Sequence, residues 1–214
     1  EKQNLKECLK FQMFVLGKFI GVRNMSKQAK VLNEKEVSKL FKVCDLTSYP
    51  ERNKLIVAFS FYGGLRAVEI ANLNVSDILS PTNTVNDIIR LTKEQTKGSN
   101  SNTVHIGKKL QKEILLFISK YPNTIYNKDK RLFQTQRGTF SSQTIQNLFR
   151  NLYHLANISN ASSHSGRRTF ITNLSEKGIS TRVIQELARH SSMVTTQRYI
   201  DVSDDKLKNA VNLI

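Results

Sequence analysis

The chain has 214 residues, of which 39% are hydrophobic, and this is enough to build a buried core. Lysine and arginine outnumber aspartate and glutamate by 33 to 17, and the resulting net charge of +16 favours a polyanionic partner, with nucleic acid as the leading candidate. A membrane protein is not expected, because the longest apolar run, which begins at Phe11, is interrupted by Lys18.

The cysteine content bears on location. Cys8 and Cys44 are too few for a disulfide framework or a zinc cluster, so we interpret them as ordinary buried thiols in a reducing, intracellular environment. With DNA as the partner, this predicts a cytoplasmic protein associated with the nucleoid.

The beginning of the chain differs from the rest. Residues 1–20 carry apolar side chains at helical spacing, and the polar stretch after them is typical of a linker. The chain starts at Glu1 without a methionine or a targeting pattern, so we expect further sequence before it. We therefore treat residues 1–30 as an appendage and begin the main domain at residue 31.

Two helices are expected at the start of the main domain. Asn33 can cap the first, whose first turn is acidic and whose apolar side chains form a stripe. Pro50 opens the second, a more uniformly apolar segment that ends at Gly63 and Gly64. The second helix should therefore lie at the centre of the domain.

The middle of the chain predicts a small sheet. Residues 86–107 hold two runs of branched residues around a turn-forming segment, which indicates a β-hairpin, and residues 75–79 could add a third strand. Helical periodicity returns at residues 108–121 and 141–157, with a loop around residues 131–138. The expected fold class is α+β, mainly helical with a small antiparallel three-stranded sheet.

Two arginines and one histidine occupy helix starts, where backbone N–H groups and the helix dipole favour an anion. Arg66 follows the glycine pair and begins a short helix, whereas His164 and Arg167 fall in the first turn of a helix that Ser162 or Ser163 can cap. Each feature alone is weak evidence for a functional role, since an arginine near a helix start is usually a solvated charge. Their order and spacing carry more information.

The segments "GGLRAVEI", the lysine-bearing hairpin, H-x-x-R at residues 164–167 and "LARHSSMVTTQRYI" closely resemble the tyrosine recombinase family of integrases. His190 follows Arg167 by 23 residues and Tyr199 follows His190 by nine, which matches the family pattern. The resemblance covers residues 31–214 and implies the DNA breaking and rejoining catalytic domain of that family. It also implies that residues 1–30 are a linker or the end of an N-terminal DNA-binding domain.

The sequence departs from the family pattern at a few positions near these residues. Arg189 stands where the family usually has glycine, Ser165 and Gly166 replace a common Asp-Leu pair, and Arg168 replaces a common histidine. These departures leave the assignment of the catalytic residues intact.

The resemblance implies a site-specific recombinase that needs neither a metal ion nor any other cofactor. Tyr199 would attack a DNA phosphodiester and form a covalent 3′-phosphotyrosyl link, which stores the bond energy for rejoining. Arg66 and Arg167 would bind the non-bridging oxygens through planar guanidinium groups. Zinc is not expected, because the histidines lack cysteines or carboxylates at ligand spacing.

Proton transfer and support of the site are assigned to other residues. Lys97 in the hairpin is the expected general acid for the 5′ oxygen, with nearby Lys93 as the alternative. The family pattern implies that His164 assists proton transfer at the tyrosine, while His190 hydrogen-bonds the phosphate. Glu69, one turn after Arg66, is expected to orient that arginine, and Asp77 is expected to be structural.

The expected partners are double-stranded DNA and further copies of the chain, which would form a tetramer on two duplexes. Residues 203–214 place apolar side chains on one face of a short helix, and the resemblance implies that this helix docks on a neighbouring protomer. The role could be integration of a mobile element, chromosome dimer resolution or inversion.

Two other hypotheses stay open at this stage. A basic DNA-binding module without catalysis would explain the charge equally well, but it has no use for the tyrosine. A type IB topoisomerase or telomere resolvase would use nearly the same residues.

Overall fold

The computed structural model describes residues 28–96, 102–135, 138–199 and 211–212. The predicted helix at residues 1–20 lies outside these ranges, as do Lys97 and most of residues 203–214. No helix in the described ranges has both the length and the apolar character needed to cross a membrane.

The described helices are α1 (Glu34–Cys44), α2 (Pro50–Tyr62), α3 (Ala67–Ala71), α4 (Val75–Ile78), α5 (Lys108–Lys120), a 3₁₀ turn (Pro122–Tyr126), α6 (Ser142–Leu155), α7 (Ser165–Glu176), α8 (Thr181–Ala188) and α9 (Met193–Gln197). The described strands are β1 (Ile88–Leu91), β2 (Asn102–His105), β3 (Gln134–Thr135) and β4 (Gly138–Thr139).

The cap predicted for α1 is confirmed. The side-chain oxygen of Asn33 accepts a hydrogen bond from the Glu36 N–H at 2.9 Å, and the Glu36 carboxylate accepts one from the Asn33 N–H at 3.2 Å. This reciprocal pair satisfies two N–H groups that the helix start would otherwise leave exposed, and a cap of this kind stabilises a helix by about 1 kcal/mol.

Helix α2 is the central helix, as predicted. Its residues from Leu55 to Phe61 are buried, and it packs against α1, α5 and α7. The chain leaves α2 through Gly64, whose φ of +62° is a conformation that L side chains rarely adopt. A Cβ there would also lie 2.7 Å from the ring of Phe170, so the glycine permits both the turn and a close approach to α7.

Helices α2 and α7 touch closely where the two central parts of the site meet. A Cβ on Gly166 would lie 2.8 Å from the ring of Phe61, and the side chain of Ser60 is closer still. Gly166 therefore lets α7 pack directly on α2. The next residue along α7 is Arg167, and this contact fixes its position relative to the end of α2.

The predicted hairpin is confirmed, but the prediction of a third strand is wrong. Strands β1 and β2 are antiparallel, with Ile88 opposite His105, whereas the segment predicted as a strand at residues 75–79 forms α4. The Asp77 carboxylate accepts a hydrogen bond from the Asn74 N–H at 2.7 Å, and this cap closes one helical turn. Within the described residues, each of the two sheets has two strands. The second sheet is formed by the short strands β3 and β4, in the region predicted as a loop around residues 131–138.

The hairpin is anchored by a buried glutamine close to its tip. The Gln95 amide donates to the Asn72 carbonyl at 2.9 Å and to the Asp77 carboxylate at 2.6 Å, and its oxygen accepts from the Thr92 N–H at 2.8 Å. Asp77 is therefore structural, as predicted. These bonds fix the strand end that leads to Lys97.

Candidate active site

Arg66 is positioned by a carboxylate on its own helix. It occupies the N-cap of α3, and the fully buried side chain of Glu69 accepts hydrogen bonds from its backbone N–H at 2.8 Å and from its Nη1 at 2.7 Å. The predicted pairing of Glu69 with Arg66 is confirmed. The Arg66 side chain remains 30% exposed, so one edge of its guanidinium can reach a ligand.

Arg167 is held by the ends of two other helices. Its Nη1 donates to the Gly64 carbonyl at 2.7 Å, after α2, and its Nη2 donates to the Ala188 carbonyl at the end of α8. Burial, followed by the charges of Arg66 and Arg189, lowers its pKa, although a guanidinium keeps its proton at neutral pH. The structure therefore brings Arg66 and Arg167 close together as two charged, oriented groups.

A third arginine joins them. Arg189 ends α8 with the left-handed φ of 56°, and its buried Nη2 donates to both the Glu69 carboxylate and the Gly64 carbonyl at 2.9 Å. In the sequence, Arg189 stands out only as a departure from the glycine that is usual in the family. The sequence signal that could have identified it is an arginine at a helix end where the family usually has glycine, which indicates a positive φ.

Glu69 is the shared partner of these cations. Burial alone would raise its pKa, but the charge of Arg189, the Arg66 N–H and the charges of Arg66 and Arg167 outweigh it and lower the pKa overall. The carboxylate is consequently ionised at neutral pH. One negative charge lies among three positive ones, so the cluster has an excess of positive charge that a phosphate would offset.

His190 and Tyr199 lie next to one another. Their rings stack with centroids 5.7 Å apart, and Nδ1 of His190 is 2.9 Å from the Thr196 hydroxyl. The guanidinium of Arg168 lies 5.6 Å from the Tyr199 ring. Tyr199 also packs against a small apolar cluster, formed by Ile171, Ile184 and Ala188.

His190 is surrounded by positive charge. Burial, followed by the charges of Arg167, Arg66 and Arg189, lowers its pKa to about 4. The ring is therefore neutral at neutral pH and can act as a hydrogen-bonding group rather than as a cation.

Two predicted residues remain, His164 and Lys97, and the structure describes the first of them. His164 is exposed at the N-cap of α7, one turn before Arg167, and its N–H donates to the Ser162 hydroxyl at 3.3 Å. The expectation that Ser162 or Ser163 caps α7 is therefore wrong, because the chain turns before the helix begins. Lys97 lies outside the described residues, although β2 of its hairpin contacts α8.

Comparisons with known proteins agree with this fold. The model of the phage integrase family matches residues 30–206. Tyrosine recombinase XerA of Pyrococcus furiosus is 31% identical over 185 residues, which is 85% of this chain and 60% of XerA. A crystal structure of XerA recombinase aligns with a TM-score of 0.69 at 26% identity, over 86% of this chain and 64% of that one. The XerH site-specific recombinase bound to its difH substrate aligns with a TM-score of 0.67 at 20% identity, over 88% of this chain and 55% of that one.

The family match extends over most of the chain, from just before α1 to beyond Tyr199. The chain belongs to the phage integrase family. It spans between half and two thirds of the length of the curated relatives it matches.

We expect His190 to stay neutral throughout the physiological pH range. Its ring proton resonances, followed by NMR against pH, should titrate with a midpoint near pH 4. An unfolded histidine takes up its proton near pH ~6.5. Because the folded-state pKa is the lower one, its contribution to the free energy of unfolding should decline as pH falls from about 6.5 to about 4.

The variant His190→Asn provides the control, because it should remove the assigned resonance together with that part of the pH dependence. A midpoint near the ordinary histidine value would contradict the positioning of His190 among three arginines.

Proposed function

We propose that the protein is a site-specific DNA recombinase that cleaves and rejoins strands through a covalent phosphotyrosyl intermediate. The observation that carries this proposal is the convergence of two oriented arginines, Arg66 and Arg167, on the stacked pair His190 and Tyr199. Membership of the phage integrase family and the net charge of +16 support it.

In the proposed reaction, the Tyr199 oxygen attacks a DNA phosphorus and forms a new O–P bond. The bond from phosphorus to the 5′ oxygen breaks, the tyrosine proton passes to a base, and the 5′ oxygen takes a proton from an acid. A phenol has a pKa near ~10, so phenolate can leave again when a DNA hydroxyl attacks. The step is therefore reversible without an external energy source.

The arginines would stabilise the charge that grows on the non-bridging oxygens. Arg66 is partly exposed, and Arg167 uses two of its guanidinium N–H groups on backbone carbonyls, which leaves its other donors for a phosphate. Donors that are already oriented cost no reorganisation during the reaction. This preorganisation would supply the stabilisation that a metal ion supplies in other phosphoryl-transfer sites.

His190 acts as a neutral hydrogen-bonding group in this proposal. When Nδ1 of His190 accepts from the Thr196 hydroxyl, Nε2 carries the proton and can donate to a phosphate oxygen. His164, one turn before Arg167, would assist proton transfer at the tyrosine. Arg168 would hold the Tyr199 ring through its positive charge.

The nucleophile is tested by replacing Tyr199 with phenylalanine. On a nicked DNA substrate, the wild-type chain should form a covalent protein–DNA adduct that maps to Tyr199, and Tyr199→Phe should form none. DNA affinity and its salt dependence should stay nearly unchanged, because the hydroxyl neutralises no phosphate charge. The measurement is denaturing electrophoresis of labelled DNA followed by peptide mapping.

Tyr126→Phe is the matched control, because Tyr126 is 79% exposed in the 3₁₀ turn, and this variant should form the adduct normally. An adduct that survives in Tyr199→Phe would overturn the proposal. Relaxation of supercoiled DNA without exchange between sites would instead assign the cluster to a topoisomerase.

Lys97 is the proposed general acid. A substrate with sulfur in place of the 5′ bridging oxygen has a leaving group that needs little protonation, so it should restore cleavage by Lys97→Ala. The matched control is Lys93→Ala, which we expect to be active on both substrates. Rescue of Lys93→Ala, with Lys97→Ala equally defective on both substrates, would move the assignment to Lys93.

The proposed partners are double-stranded DNA and, in the synaptic complex, three further copies of the chain. Residues 1–30 would join the catalytic domain, residues 31–214, to an N-terminal DNA-binding domain. Residues 203–214 would dock on a neighbouring protomer. Val211, which is 72% exposed although it falls on the apolar face of that segment, supports docking outside its own domain.

Deletion of residues 203–214 should leave a folded protein that binds DNA but fails to assemble on paired sites. The measurements are thermal unfolding, binding to a single site, and light scattering of the complex on two sites. Normal assembly by the truncated chain would refute the proposed docking of residues 203–214 on a neighbouring protomer. Unfolding of the truncated chain would show that the segment belongs to its own core.

A further inference from the structure

Arg189 shares one acceptor with each of the two proposed phosphate-binding arginines. With Arg66 it shares the Glu69 carboxylate, and with Arg167 it shares the Gly64 carbonyl. Its Nη1 also donates to the Leu187 carbonyl at 3.0 Å. The Arg189 guanidinium thus bridges the acceptor that orients Arg66 and the acceptor that orients Arg167.

This arrangement is costly for a residue that serves only the stability of the fold. Arg189 adopts a left-handed backbone conformation that favours glycine. Its side chain is 2% exposed, so its charge has lost nearly all contact with water. Within the described residues, its buried Nε has no hydrogen-bond partner. A glycine at this position would avoid all three costs.

We propose that Arg189 is a positioning residue that fixes the separation and orientation of Arg66 and Arg167, and that strand cleavage depends on it. This inference rests on the proposed recombinase function. Arg189 is too deeply buried to contact DNA itself, so it acts through the two arginines. It also shares the charge of Glu69, which would otherwise bind Arg66 more tightly and draw it away from a phosphate.

The test compares Arg189→Gly with Arg189→Lys. Glycine relieves the backbone and removes the charge, whereas lysine keeps the charge and has three donors but loses the planar geometry. At saturating protein, Arg189→Gly should cleave a nicked DNA site at least tenfold more slowly than wild type. Arg189→Lys should recover part of that rate.

The DNA affinity of the variants distinguishes a positioning role of Arg189 from direct contact with DNA. Arg182→Ala is the matched control, because Arg182 is an exposed arginine on the same helix and its loss changes the net charge equally. Both Arg189→Gly and Arg182→Ala should bind DNA within about twofold of wild type, since neither removes a donor aimed at a phosphate. Only Arg189→Gly should lose cleavage rate.

A second readout needs no DNA. His190 is faced by Tyr199 and Thr196 and by the charges of Arg66, Arg167 and Arg189. Loss of the Arg189 charge should raise the pKa of His190 from about 4 toward its ordinary value. Arg182→Ala should leave that pKa where it is in the wild-type protein.

The outcomes distinguish this inference from the proposed function. Absence of any Tyr199 adduct with the wild-type chain would refute the recombinase proposal, and the His190 titration would still test the link between Arg189 and the cluster. Wild-type cleavage rates in a folded Arg189→Gly would overturn the positioning role. Equal defects in Arg189→Gly and Arg189→Lys would also overturn it, since the conservative variant would then rescue nothing. If Arg189→Gly does not fold, Arg189→Lys decides, because wild-type cleavage rates in this variant would show that the planar guanidinium is dispensable and would overturn the inference.

Discussion

The buried carboxylate of Glu69 is the constraint around which the site is built. An isolated carboxylate at zero exposure would cost several kcal/mol, of the order of 5 or more, so it must be paired and hydrogen-bonded. Arg66 satisfies it from the same helix and Arg189 satisfies it from 120 residues further along the chain. Pairing Glu69 therefore brings the end of α8 to the start of α3. The bonds that pair Glu69 with Arg66 also orient one of the two arginines proposed to bind phosphate.

Backbone carbonyls at helix ends do the rest of the positioning. Gly64 lies just after α2 and Ala188 ends α8, and both carbonyls accept from Arg167. A helix C-terminus carries partial negative charge and carbonyls that lack intrahelical partners, so a guanidinium suits both needs. Because Gly166 lets α7 pack directly on α2, this network rests on the rigid centre of the domain. Arg167 is thus oriented by bonds within the protein itself.

Local features of the sequence predicted much of this structure. The Asn33 cap, the buried α2, the hairpin and the pairing of Glu69 with Arg66 all depend on residues close in sequence, and all are confirmed. The segment 75–79 was misassigned because its branched residues favour a strand, whereas the Asp77 cap closes a helical turn. The contacts of Arg189 with Glu69 and Gly64 could not be read from periodicity, since they join distant parts of the chain. Arg66, Arg167, His190 and Tyr199 lie together in the described structure, and their chemical roles stay predictions.

Tyr199 is held differently from the arginines. It follows the short helix α9 and packs on a small apolar cluster under α7 and α8, separate from the main core, with the His190 ring stacked beside it. The segment makes few apolar contacts, and those lie outside the main core, so it should open more easily than the rest of the domain. The arginines that we propose bind phosphate are hydrogen-bonded to Glu69 and to backbone carbonyls, whereas the segment that carries Tyr199 should move at lower cost. A contact made by the residues after Tyr199 with a neighbouring protomer would act on this weakly held segment and leave the arginines in place.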